Sequence, residues 1–184
     1  MLNYAYYMYN LRKSPLLCTF NTSPDETTYY RFMVLREAVM EGLTIIKPRL
    51  FEFSPDGQHS EEIPLCESSL TPNTTLLLDT YFIVLLYNPE GMSAGMNKSR
   101  EKFEAQSIVC QRVHTPEYLW TQHDAPGTRH LLARLNPTSA DGSSKPIKNG
   151  VVTLDTDVQS YLEHIKNQLK GSSFYKYFRF NWFF

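Results

Sequence analysis

The side chains best suited to chemistry are scattered along the chain. The five histidines, His59, His114, His123, His130 and His164, form no H-E-x-x-H motif and no pair four residues apart, the spacings that set two imidazoles on one helix face around a metal ion. Cys18, Cys66 and Cys110 are odd in number, far apart and without a C-x-x-C pair. Neither a disulfide framework nor a zinc site is expected from them, and a reducing compartment fits best. Ser107, His123 and Asp124 could act as a nucleophile, base and orienting acid only if the fold assembled them, and nothing in their spacing indicates that it does. The 8 glycines are dispersed, so no loop is built to cradle a phosphate. By composition and spacing alone, Arg129 is a solvated or ion-paired arginine at the start of a strand. No motif of a self-contained enzyme is found, and no cofactor or metal is expected.

The 184 residues carry 18 Lys and Arg against 19 Asp and Glu, a formal net charge of −1. That balance lacks the basic surplus of a phosphate-backbone binder, so no nucleic acid is expected as partner. The N-terminal stretch has its charge after its apolar residues and no small-residue cleavage site, unlike a secretory signal. The most apolar run, Leu76 to Tyr87, is interrupted by Asp79-Thr80 and is shorter than the roughly 20 residues a spanning helix needs. The three Asn-x-Ser/Thr sequons occur often by chance and carry no weight.

These residues must be positioned by elements that periodicity marks out. Residues 1–13 read as the last turns of a helix. Ser23, Pro24 and Glu26 form a capping box with proline in the first turn, predicting a helix from Pro24 to about Gly42. From Thr44 the pattern turns β through Phe53 and stops at the Ser54-Pro55-Asp56-Gly57 turn. A polar loop follows to Asn73. Thr75 to Tyr87 reads as two central strands hinged at Asp79-Thr80. Lys98 to Gln111 has helical spacing, Tyr118 to Trp120 and Arg129 to Leu135 read as strands, and Ser139 to Gly150 is a loop. Asp155 to Asp157 opens an amphipathic helix bearing Val158, Tyr161, Leu162, Ile165 and Leu169 on one face, ended by Gly171. The residues after it, Phe174 to Phe184, are mostly aromatic and fit neither period. They read either as a partner-binding or membrane-interface tail or as a strand on the core.

Several of these stretches resemble the GTPase-activating inner-coat subunit of the COPII vesicle coat, the secretory protein "twenty-three" family. Met8-Tyr9-Asn10-Leu11-Arg12-Lys13-Ser14 and Phe20 to Arg31, containing Asn21-Thr22-Ser23-Pro24-Asp25-Glu26, look like the family's passage from its helical domain into its last domain. Leu78-Asp79-Thr80-Tyr81-Phe82-Ile83-Val84-Leu85-Leu86-Tyr87 also resembles the strand pair of gelsolin-like domains. Arg129-His130-Leu131-Leu132-Ala133-Arg134-Leu135-Asn136-Pro137 and Asp157 to Lys166 follow in the family's order, and the resemblance reaches about Lys170. It implies an α/β fold: a gelsolin-like domain with a central mixed sheet flanked by helices (44–171), preceded by a remnant of a helical domain (1–43) and followed by an aromatic tail (172–184).

The functional implication is a part in vesicle transport from the endoplasmic reticulum to the Golgi. The family binds a Sar-type small GTPase and accelerates its GTP hydrolysis, working in the cytoplasm and peripherally on the endoplasmic reticulum membrane beside a cargo-adaptor and an outer-coat subunit. The arginine that the family inserts into the GTPase site aligns with Arg129. A guanidinium supplied in trans stabilises charge on the transferring phosphoryl group, an effect of about 10³ to 10⁵ in rate, or roughly 4 to 7 kcal/mol of barrier. Ala125-Pro126-Gly127-Thr128 replaces the family's lead into that arginine, and Gly91 to Gln111 is shorter than its family counterpart. The family's zinc site lies in an upstream domain with no counterpart in these residues. An actin-binding gelsolin-type module, which shares the fold, or a structural piece without activity of its own, are the alternatives; against actin binding, no calcium-type cluster of carboxylates is found.

Overall fold

A computed structural model describes residues 2–17, 23–53, 60–72, 74–89, 98–137 and 156–171. Cys18, His59, the Ser54–Gly57 turn, the Ser139–Gly150 loop and the aromatic tail lie outside the described residues. The chain runs α1 (Leu2–Lys13), α2 (Pro24–Arg36), α3 (Val39–Ile46), β1 (Arg49–Phe53), β2 (Ser60–Ile63), β3 (Thr75–Asp79), β4 (Ile83–Asn88), α4 (Lys98–Gln111), β5 (Glu117–Gln122), α5 (Thr128–Leu132) and α6 (Val158–Gly171). The expected fold class is found: one five-stranded mixed sheet with helices against it, in the order β2-β1-β3-β4-β5. Every pairing is antiparallel except β4 with β5. That parallel pair needs a crossover connection, and α4 supplies it.

The two central strands are β3 and β4, as their unbroken apolar composition requires. All five residues of β3 are buried, and so are all of β4 except Ile83. Alternation sends Leu76, Leu78, Leu85 and Tyr87 to one face, where Leu65, Leu131 and Leu135 cover them. Leu77, Val84 and Leu86 face the other way, onto Ala105 of α4. A third cluster joins Met33 of α2 and Ile45 of α3 to Tyr81 in the β3–β4 turn. No helix among the described residues is long and apolar enough to cross a membrane.

The α2 start forms as its residues dictate. The Ser23 hydroxyl accepts from the Glu26 N–H at 3.1 Å, and the Glu26 carboxylate accepts from the Ser23 N–H at 2.8 Å.

Four expectations are corrected. The helix from Pro24 does not reach Gly42: Glu37 and Ala38 are extended, at ψ 160° and 162°, and split it into α2 and α3. The break folds α3 back on α2, so that a Cβ on Gly42 would stand 3.5 Å from the Val34 carbonyl. Thr44 to Ile46 is helical, not β. The buried Thr44 hydroxyl donates to the Met40 carbonyl at 2.9 Å, and Ile45 packs in the third cluster, so tertiary contact overrides β-branched propensity. The polar loop before Asn73 contains β2, an edge strand whose Ser60, Glu61 and Glu62 face solvent; edge strands carry charge because it deters further pairing. Arg129 to Leu135 is not a strand. Thr128–Leu132 form α5, and the buried positions Thr128, Leu131 and Leu135 fall three and four residues apart, a spacing that belongs to a helix.

Candidate functional site

The neighbourhood of Arg129 is built by the turn between β5 and α5. The Gln122 carbonyl accepts from the Thr128 hydroxyl at 2.6 Å and from the Ala125 N–H at 3.2 Å. The Thr128 hydroxyl also lies 3.3 Å from that of Thr121, at the end of β5. The Thr128 N–H donates to Ala125, and the His130 N–H to Gly127, both at 3.0 Å. Asp124 takes the left-handed conformation at the tip, with φ 60°, which aspartate tolerates better than most residues. Both threonines are buried. The turn is therefore cross-braced from the last residues of a sheet strand, and rigid support of that kind holds a functional side chain in register.

Arg129 follows directly, exposed on the first turn of α5. It has no ion pair or side-chain hydrogen bond among the described residues. It stands on a ridge between two clefts. One, of about 430 Å³, is walled by Leu70, Tyr87, Leu131 and Leu132, with His123 and Asp124 at its rim. The other, of about 560 Å³, opens between α1, the end of α3 and α5, and holds Lys13, His130 and Arg134.

The three residues weighed as a triad are not assembled. His123 and Asp124 are neighbours at 3.7 Å, and the Tyr87 hydroxyl lies 3.3 Å from the His123 Nδ1. Ser107 lies on α4, against the opposite sheet face, where its hydroxyl accepts from Gln111 at 3.2 Å. Cys66 and Cys110 are free thiols, and His164 lies on α6 and His114 just after α4. Around His114, the rings of Tyr29, Tyr81 and Phe82 approach within 5.4 to 6.3 Å.

Sequence reasoning missed the groups that hold the scaffold in place. Asp79 is buried and bridged by Arg112, with Nη1 at 2.7 Å and Nη2 at 2.5 Å from its two oxygens. Its Oδ1 also accepts from the Tyr81 N–H at 2.9 Å, fixing Tyr81 at φ 72°. Arg112 in turn lies 4.7 Å from the Tyr81 ring centre. The signal was present, since a carboxylate inside an apolar strand run requires a buried cation. Burial, and then the Glu37 carboxylate beside it, push the Tyr81 phenol above the ordinary tyrosine range.

No protein-family model matches the chain. The crystal structure of the human COPII-coat protein Sec24c is similar over 90% of this chain, with a TM-score of 0.67 and 14% sequence identity. The chain spans 23% of the length of that protein. A chain of the Thorarchaeota 2DGel3/rabbit actin complex overlaps 46% of this chain and 44% of its own length, at 20% identity and a TM-score of 0.37. The chain thus shares the fold of a segment of a coat protein; a likeness at 14% identity is one of architecture.

Proposed function

We propose that this chain is the gelsolin-like portion of a COPII inner-coat subunit and that it stimulates GTP hydrolysis by a Sar-type small GTPase through Arg129, supplied in trans. The observation that carries the reading is the placement of Arg129: exposed, unpaired among the described residues, and projected from a turn braced to the end of β5. An arginine acting in trans has to be available before the partner arrives, and a preorganised mount lowers the cost of ordering it in the complex. The likeness of fold to a COPII-coat protein supports the setting. In this reading the hydrolytic machinery is the GTPase's own, and the chain contributes one charge. Its partners are the GTPase, a cargo-adaptor subunit and an outer-coat subunit, met peripherally at the endoplasmic reticulum membrane.

The test is single-turnover GTP hydrolysis by a purified Sar-type GTPase with the chain in excess, beside Arg129→Ala and Arg129→Lys. The wild type is expected to accelerate hydrolysis by about 10³-fold or more. Alanine is expected to abolish that, and lysine to restore little, because an ammonium lacks the planar fork that addresses two oxygens. Equal acceleration by wild type and Arg129→Ala, or acceleration by neither, overturns the reading for this chain.

A further inference from the structure

The cleft between α1, α3 and α5 has a composition that the GTPase reading leaves unexplained. Lys13, Arg129, His130 and Arg134 line it, and among the described residues no aspartate or glutamate does. In a chain with a formal charge of −1, that is a local segregation of charge. Arg134 is half-buried and has no carboxylate or side-chain hydrogen bond among the described residues. A guanidinium drawn partly out of water without a partner is costly to keep, and an anionic ligand would offset that cost. Beneath the cations the floor is apolar, made by Ile45, Leu78 and Ile83 with Leu135. The volume, about 560 Å³, is in the ordinary range of ligand sites, roughly 300 to 1,000 Å³.

The cations come from two separate parts of the fold, Lys13 from the end of α1 and Arg129 and Arg134 from α5 and the turn after it. The Lys13 ammonium donates to the Tyr9 hydroxyl of its own helix at 3.0 Å and sits 4.9 Å from that ring's centre. Arg129 and Arg134 belong to the α5 side. One compact anion needs donors aimed at a common centre, whereas carboxylates spaced along a chain need them apart. We infer that this cleft binds an acidic peptide segment of a partner protein, one large apolar side chain resting on the floor and flanking Asp or Glu residues meeting the two walls. Arg129 is common to this cleft and to the proposed GTPase contact, so an occupied cleft competes for that arginine.

The experiment uses the full chain and a fluorescein-labelled decapeptide of Asp, Glu and Gly around a single Phe, followed by fluorescence anisotropy, without any GTPase. Saturable binding is expected, about tenfold weaker for Arg134→Glu and tenfold weaker again for the same peptide with Phe replaced by Gly. A tenfold change corresponds to about 1.4 kcal/mol. Circular dichroism and melting temperature establish that Arg134→Glu is folded, and Arg134→Ala, expected to lose less, serves as the milder variant. No saturable binding, equal binding of a Lys-for-Asp/Glu peptide, or complete displacement by inorganic phosphate at a concentration matching the peptide's overturns the inference. Because no GTPase is present, peptide binding and GTP hydrolysis fail independently.

Discussion

Gly127 has an ordinary helical backbone, φ −67° and ψ −25°, so what requires glycine there is space. A Cβ would stand 2.8 Å from the Thr121 Oγ1 and 2.9 Å from its Cβ, too close for either atom. Gly127→Ala is therefore expected to destabilise by about 1 to 3 kcal/mol, the usual cost of overpacking, read from urea unfolding. It is also expected to lower GTPase acceleration while leaving Arg129 itself in place, because the brace that aims the arginine must shift. At Asp79 the argument is electrostatic. Arg112→Ala would leave a buried carboxylate without its cation, and a loss of about 3 to 5 kcal/mol is expected. The double variant Asp79→Asn with Arg112→Met is expected to recover much of it, since the amide oxygen can still accept from the Tyr81 N–H. A double variant as unstable as Arg112→Ala alone would count against that account. Arg129 could be singled out in the sequence only through resemblance, for its exposure depends on which side of α5 meets the sheet. The four-residue spacing of Leu131 and Leu135 suits a helix, but an apolar run this short between two turns fits the β-period as well, so the sequence alone does not decide between them.

At the scale of elements, what was legible followed from local chemistry. The capping box, the β3–β4 hairpin, α4, β5 and α6 each announce themselves through residues within a few positions of one another. The break between α2 and α3 does not, because neither glycine nor proline marks Glu37-Ala38; the fold of α3 onto Met33 and Tyr81 decides it. Strand β2 was hidden for the opposite reason, an edge strand having little apolar pattern to show. The packing of α1 on α6 was equally illegible. It centres on Tyr9, which is fully buried, packs its ring against that of Tyr161 in a tilted contact at 5.5 Å and donates its hydroxyl to the Thr156 carbonyl at 2.5 Å. Burial, and then Tyr6 and Asp157 nearby, raise the Tyr9 phenol above its ordinary pKa of about 10. Tyrosine stays neutral in the fold and ionises at lower pH in the unfolded chain, so stability is full below pH 10 and falls above it. Each such tyrosine contributes a slope of about 1.4 kcal/mol per pH unit there. Tyr9 and Tyr81 both behave so. Urea midpoints measured from pH 8 to 11.5 are expected to hold and then drop, and Tyr9→Phe to flatten the drop while costing about 1 kcal/mol at pH 8.

For the molecule as a whole, the question is whether the N-terminal helices fold with the sheet or beside it. The resemblance placed a boundary at residue 43, a position inside α3. The contacts tie both sides together. Met33 and Ile45 pack on Tyr81 in the β3–β4 turn; Tyr9 joins α1 to α6; and Asn136, after α5, donates to the Tyr6 hydroxyl at 3.3 Å. Elements that share a buried cluster lose it together, which is the condition for a single cooperative transition. Trp120 on β5, half-exposed at 47%, is a local reporter of the sheet once the other tryptophan is removed as Trp182→Phe. Far-UV circular dichroism reports the helices. Coincident urea curves from the two signals are expected, and a helical signal lost at lower urea than the Trp120 signal would make residues 1–46 a separate unit. The same coupling extends to the cationic cleft, whose walls come from α1 and α5. Deleting residues 1–17 removes Lys13 and that wall at once, so it is expected both to lower the unfolding midpoint and to abolish acidic-peptide binding. Arg129 and its braced turn would remain on the sheet side. Residual GTPase acceleration by that truncated chain, with peptide binding gone, would separate the arginine's action in trans from the cleft beside it.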